Sequence, residues 1–208
     1  GLRWRRMLER PVVLAAVTRE GEELPLLQCW SALAAPRPLL LLVPRHPQRF
    51  DGVAELVPAR ALTLVRRSSF GDLPPADAGN ADVWLGDSLG EMPLYYAAAD
   101  AALLGGSFAK LGGQNLIEAA ACGCPVIMGP HTFNFAEAAE LALAAGAAVR
   151  VKDLDEGITR AVALAADPGR NEWVERALAF AAAHRGAAQR MAGEIVALMK
   201  NSVPQRSR

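Results

Sequence analysis

The densest chemistry in the chain lies between Gly105 and Phe135, where "LLGGSFAKLGGQN" runs out of an apolar segment and into a helical pattern. The glycine pairs Gly105-Gly106 and Gly112-Gly113 let the backbone approach a ligand closely and turn amide N–H groups toward it. Ser107 supplies a hydroxyl donor and Lys110 a mobile charge. A helix beginning after the loop would add about half a positive charge at its N-terminus. Together these groups suit a phosphate. The pattern is neither a Walker loop nor GxGxxG, and a glycine-rich strand-to-helix turn without a ligand is the plain alternative.

Asn115 and Glu118 follow three residues apart, which places both on one helical face next to the loop. A carboxylate there can accept two hydrogen bonds from the cis-diol of a ribose whose phosphate rests on the glycines. Favourable interaction of Glu118 with its own helix dipole explains the same residue without a nucleotide.

Other candidates sit where apolar runs end. Arg45 and His46 close "LLLLVPR", and a bidentate Arg–carboxylate or Arg–phosphate contact is apt for Arg45. In "TREGEE", Glu22 can bind substrate hydroxyls, and Thr18 either joins it or caps a helix. Ser88 and Glu91 in "GDSLGEM" have the form of a capping box. His131 in "GPHTFNF" can touch a ligand or align its loop. No Ser/His/Asp or Cys/His arrangement is readable. Asp82, Asp87 and Asp100 fall in separate segments, so no catalytic residue and no metal ligand is assigned, and no cofactor is expected. The cysteines Cys29, Cys122 and Cys124 form an odd set without CxxC spacing and read as packing residues.

The elements that must hold these groups are legible as alternation. Strand-length apolar runs at 12–18, 39–45, 61–67, 82–86, 101–106, 124–129 and 147–151 alternate with helical stretches at 20–34, 47–57, 90–98, 114–122 and 136–145. Continuous hydrophobicity means strands buried on both faces, hence a parallel sheet between helices: a Rossmann-like, doubly wound α/β domain. Gly123 and Gly146 read as helix stops, Asp153 as an N-cap and "DPG" at Asp167 as a break. Residues 1–11 read as a linker or residual segment, 12–200 as one domain ending in helices, and 201–208 as a disordered tail. In such sheets ligands bind at the carboxyl ends of the strands, near the point where strand order reverses.

The 208 residues are 52% hydrophobic and carry 22 basic against 22 acidic side chains. That is ample for a core and leaves no electrostatic footprint for nucleic acid. No apolar run reaches the roughly 20 residues a bilayer needs. The abrupt start, one short basic segment before the first strand, suits a domain cut from a longer protein.

The spacing of Gly105-Gly106-Ser107, Gly112-Gly113, Asn115, Glu118, Pro125-Val126 and Gly129-Pro130-His131 with Asn134-Phe135 resembles the C-terminal, nucleotide-binding half of GT-B glycosyltransferases. With "TREGEE", "VPRHPQRFDGVAELV" and "GDSLGEMPLYYAAADAALLGGSF" it resembles more narrowly the transferases of 3-deoxy-D-manno-octulosonic acid (Kdo). The resemblance implies the donor-binding domain of an inverting, metal-independent enzyme that moves Kdo from CMP-Kdo to the lipid A precursor in lipopolysaccharide biosynthesis. It also implies a general base and an acceptor site in an N-terminal half, and a place at the cytoplasmic face of the bacterial inner membrane for the full-length protein. This chain alone is then expected to be soluble, to bind CMP and to transfer nothing. A UDP-sugar transferase or epimerase of the same fold, or a non-catalytic nucleotide-binding module, is the alternative.

Overall fold

The computed structural model of the chain describes residues 1–184. The strands are β1 (Val12–Thr18), β2 (Leu39–Pro44), β3 (Leu64–Arg66), β4 (Val83–Leu85), β5 (Ala101–Leu104), β6 (Val126–Met128) and β7 (Ala148–Arg150), each within the run expected for it. The helices are α1 (Leu2–Arg6), α2 (Glu23–Ser31), α3 (Phe50–Leu56), α4 (Met92–Ala98), α5 (Ile117–Ala121), α6 (Ala136–Ala144), α7 (Leu154–Ala165) and α8 (Asn171–His184).

All strand pairs are parallel, in the order β3-β4-β2-β1-β5-β6-β7. Alternate side chains of the central strands enter different cores. Leu14, Ala16, Leu39 and Leu41 pack with Tyr96, Ala119 and Phe180, while Val13, Ala15, Leu40 and Leu42 pack with Leu27, Trp30 and Ile158. This two-sided burial explains why the strands read as unbroken apolar runs, since each Leu taken fully out of water contributes about 1.5–3 kcal/mol.

The chain leaves β1 toward β2 and returns on its other side as β5. The switch point therefore lies between β1 and β5. The loops after these two strands are the "TREGEE" and glycine-rich segments.

Residues 1–11 are not a bare linker. Trp4 is buried and stacks edge-on against Phe70 and Trp84, with ring centroids 5.4 and 6.0 Å away. Arg5 reaches the buried Asp100 at 2.9 Å. One tryptophan in a basic segment is enough to hold the helix on the domain, because a Trp buries on the order of 200 Å².

Helix starts also differ from the reading. α5 begins at Ile117 rather than Gln114, because the Asn115 side chain accepts the Ile117 N–H at 3.0 Å and ends the loop as an Asx turn. The turn at 47–49 is 3-10 before α3 begins. Asp153 does cap α7, accepting from the Glu156 N–H at 2.9 Å, and Asp167 takes the Gly169 N–H at 2.8 Å. Residues 185–208, and with them the expected end of the domain at 200 and the tail at 201–208, lie outside the described residues. Among the described residues no helix is long and apolar enough to cross a membrane.

Candidate functional site

The end of β1 is irregular. Val17 stands in the left-handed region at φ 58°, and pairing with β2 slips between Ala16 and Thr18. A β-branched residue resists that conformation at a cost on the order of 1–2 kcal/mol. The kink turns the Thr18 carbonyl onto the Arg45 N–H at 2.9 Å and leaves Arg45 exposed at the strand end. Gly105 packs on the same irregularity, where any Cβ would overlap the carbonyl oxygens of Ala16 and Val17. Gly112, at φ +86°, lies so close to the Asn134 amide that a side chain has no room.

Between these loops opens a cleft of about 360 Å³. It brings together Arg45, Ser88, Asn115 and Glu118 from three different strand ends, with Val17, Gln114 and Glu91 beside them. Among the described residues Arg45 pairs with no carboxylate. The N–H groups of Gln114 and Asn115 take no protein acceptor among the described residues. A free cation, two free amides and a carboxylate thus converge at the carboxyl edge of the sheet.

The opposite wall is fixed by a polar network. Arg67 donates to Glu91 at 2.9 Å, and the Ser88 hydroxyl joins Glu91 to the Tyr95 phenol. Burial alone would raise the Glu91 pKa, but the bonds from Ser88 and Arg67 outweigh it and hold the carboxyl below its usual range. Burial pushes Tyr95 up to about 12. Ser88 and Glu91 therefore do not form the capping box expected of them: Ser88 spends its hydroxyl on side chains, and α4 starts after Glu91 without a side-chain cap. The neighbouring Asp87 accepts from Arg66 and Ser68 at 2.7 Å each.

The glycine-rich loop departs most from its sequence reading. Ser107 is wholly buried; its hydroxyl donates to the Leu104 carbonyl at 2.5 Å and accepts the Gly129 N–H at 2.8 Å. It clamps β5 to β6 and has no hydrogen left for a phosphate. The Gly106 N–H goes to the Glu22 carboxylate at 2.8 Å, and the Gly113 N–H to the Gly106 carbonyl at 2.8 Å. Glu22 is itself buried and faces this loop rather than substrate hydroxyls. Thr18 donates to Glu23 at 3.0 Å instead of capping α2. His46, Lys110 and His131 are not among the cleft's lining residues, and the His131 backbone N–H is tied to the Ser107 carbonyl at 3.0 Å.

Behind the loop, a smaller cavity of about 180 Å³ is walled chiefly by apolar side chains such as Leu26, Leu103, Phe108 and Leu154. Among the described residues no three His, Cys, Asp or Glu side chains converge as a metal site. Gln114 and Val17 are among the cleft residues that sequence reasoning passed over. Gln114 lies inside the quoted glycine-rich motif, between Gly113 and Asn115, and could have been found from that position, whereas nothing in an apolar run announces a left-handed valine.

No family model matches the chain. It is 52% identical over 196 residues to the 3-deoxy-D-manno-octulosonic acid transferase of Bordetella pertussis, covering 91% of this chain and 45% of that protein. To the transferase of the same name from Haemophilus influenzae it is 42% identical, over 74% of this chain and 36% of that one. The chain thus spans less than half the length of these relatives. Among solved structures it resembles the C-terminal CMP-Kdo binding domain of WaaA from Acinetobacter baumannii, with a TM-score of 0.76, 30% identity, and coverage of 86% of this chain and 92% of that domain.

Proposed function

We propose a donor-side function from one premise: the chain belongs to the Kdo transferase family, as the C-terminal domain of its GT-B glycosyltransferase fold. In this reading the cleft at the switch point holds CMP-Kdo. The observation that carries it is the convergence of Arg45, Asn115 and Glu118, from separate strand ends, on one cleft beside two unpaired amides.

The residues divide the donor between them. The Glu118 carboxylate accepts hydrogen bonds from the ribose diol. The Gln114 and Asn115 N–H groups receive the phosphate, and Arg45 offers its fork to the phosphate or to the sugar's carboxylate. When transfer begins, negative charge grows on the departing CMP phosphate, and fixed amides and an unpaired guanidinium stabilise it without reorganising. No base is assigned within the cleft, so activation of the acceptor hydroxyl falls to the other half of the enzyme. The acceptor is the lipid A precursor, the full-length enzyme works at the cytoplasmic face of the inner membrane, and neither metal nor cofactor takes part. The 208-residue chain binds CMP and transfers nothing.

Calorimetric titration with CMP, UMP and UDP, on the unaltered chain and on Asn115→Ala and Glu118→Ala, tests the reading. CMP is expected to bind best, and Glu118→Ala to weaken it by roughly tenfold or more, the scale of a lost charge-assisted hydrogen bond. UDP binding more tightly than CMP would refute the Kdo assignment while leaving the fold intact. Absence of any nucleotide binding would refute the donor cleft.

A further inference from the structure

One wall of the cleft is a single run of chain, residues 88–92, at the junction between β4 and α4. Little packing holds its tip: Leu89 is 72% exposed, a Cβ on Gly90 would meet no atom within 4 Å, and the N–H groups of Leu89 and Gly90 take no backbone acceptor among the described residues. The side-chain anchors of this run lie at its two ends, and both lead to the same place. Asp87 accepts from Arg66 at 2.7 Å and from the Ser68 N–H and hydroxyl at 2.8 and 2.7 Å, while Glu91 accepts from Arg67 at 2.9 Å. Residues 66–68, at the end of the edge strand β3, therefore clamp the loop, although none of them lines the cleft.

Of the two arginines, Arg66 is shared with the exposed Asp51, whereas Arg67 has a fixed seat. Its guanidinium carbon lies 5.1 Å from the centre of the Trp4 ring and 5.8 Å from that of Phe70, and the side chain is mostly buried. A planar guanidinium stacked on aromatic faces keeps its fork in one orientation, which a freely rotating ammonium does not. Its Nε–H is buried without an acceptor, so the seat is not the one that best satisfies the arginine's own donors. The satisfied donor points at Glu91, which the Ser88 hydroxyl joins to the Tyr95 phenol under the loop.

We propose that Arg67 is a positioning residue for the donor cleft: seated on Trp4 and Phe70, it fixes Glu91, and with it the wall at 88–92, in the place where the nucleotide is held. The inference rests on the donor-cleft reading above and adds to it a residue outside the cleft and, through Trp4, the helix α1. A wall fixed before the ligand arrives need not be ordered on binding, whereas a loose one must be immobilised each time at the expense of affinity.

Calorimetric titration with CMP, with thermal melting of each protein, tests this on the unaltered chain, Arg67→Met, Glu91→Gln and the double variant. Methionine keeps an apolar stem over the two rings and removes the charge and the fork. Arg67→Met is expected to weaken CMP by roughly tenfold, within the range of coupling between residues of one polar network. In the Glu91→Gln background the same change should cost less than about twofold, because the partner through which Arg67 acts is already lost. If Arg67→Met melts lower but binds CMP as the unaltered chain does, the residue is merely structural and the proposal is overturned. An equal loss of affinity in both backgrounds also overturns it, since Arg67 would then act as a distant charge on the phosphate and not through Glu91. Should Arg67→Met not fold, Glu91→Gln decides alone, and unchanged CMP affinity in that variant overturns the proposal. If the unaltered chain binds no nucleotide, the donor cleft is refuted and the proposal with it; if CMP binds and only the coupling fails, the cleft stands without Arg67.

Discussion

Replacing Ser107 by alanine separates the two roles that a serine in a glycine-rich loop can have. In the structure its hydroxyl holds two buried backbone groups, the Leu104 carbonyl at 2.5 Å and the Gly129 N–H at 2.8 Å. Alanine leaves both without this partner. An orphaned buried amide costs about 1–3 kcal/mol, and the carbonyl less because it keeps a second lone pair, so the loss comes to about 2 kcal/mol. For a domain of this size each kcal/mol moves the melting temperature by roughly 2–4 °C, giving a drop of about 4–8 °C. Affinity for CMP, measured by calorimetry well below the melting point, should stay within about twofold because no donor group is removed from the cleft. Glu118→Ala is the mirror image, with affinity falling and the melting point nearly unchanged, since surface substitutions usually stay within about 0.5 kcal/mol. If Ser107→Ala instead weakened CMP as Glu118→Ala does while melting normally, the hydroxyl would be a phosphate ligand and the buried clamp described above would be wrong.

Two further outcomes follow from strain and from charge. At position 17 the ordinary order of glycine and alanine should invert, Val17→Gly melting above Val17→Ala by about 1 kcal/mol, because only glycine enters the left-handed region freely; alanine melting higher would remove the strain from the end of β1. Asp87 has a folded-state pKa below its usual value, since the bonds from Ser68 and Arg66 outweigh the burial that would raise it. Its stabilising contribution is therefore present above the unfolded carboxyl pKa of about 4 and lost as pH falls through the lower folded value. Asp87→Asn should destabilise the chain at pH 7 more than at pH 3 in urea titrations, and an equal loss at both pH values would contradict the ion pair with Arg66.

Much of this was legible in the sequence, for reasons that also explain what was not. All seven strands sit inside their apolar runs, and the five inner ones do so because both faces of a parallel sheet are buried, whereas the edge strands β3 and β7 are half-buried. Arg45, Asn115 and Glu118 could be placed at strand ends, and chain topology then brought them to one cleft without further information. Ser107 and Glu22 were misread for a common reason: sequence shows that a hydroxyl and a carboxylate lie beside glycines, but not which buried amides they must satisfy. That requirement arises only when β5, β6 and the loop after β1 meet, across 22 residues for Ser107 and 84 for Glu22. Trp4 was hidden among arginines, and its partners Phe70 and Trp84 lie in segments that local pattern cannot connect to it.

The same accounting changes what the glycine-rich stretch is for. A loop whose serine hydroxyl and neighbouring acid are both spent on buried backbone groups is braced from within, and that makes it a wall of the cleft. That bracing has a use, because the cleft-lining residues Gln114, Asn115 and Glu118 are then held relative to Arg45 through the Gly105 contact with Val17. Preorganised donors stabilise developing charge only if they do not move when it appears. The strained Val17 and the buried Glu22, which pairs with no cation among the described residues, both lie against that wall, one on each side of the Gly105-Gly106 turn. Backbone strain and a buried carboxylate side by side at the switch point fit the pattern in which strain collects at functional sites.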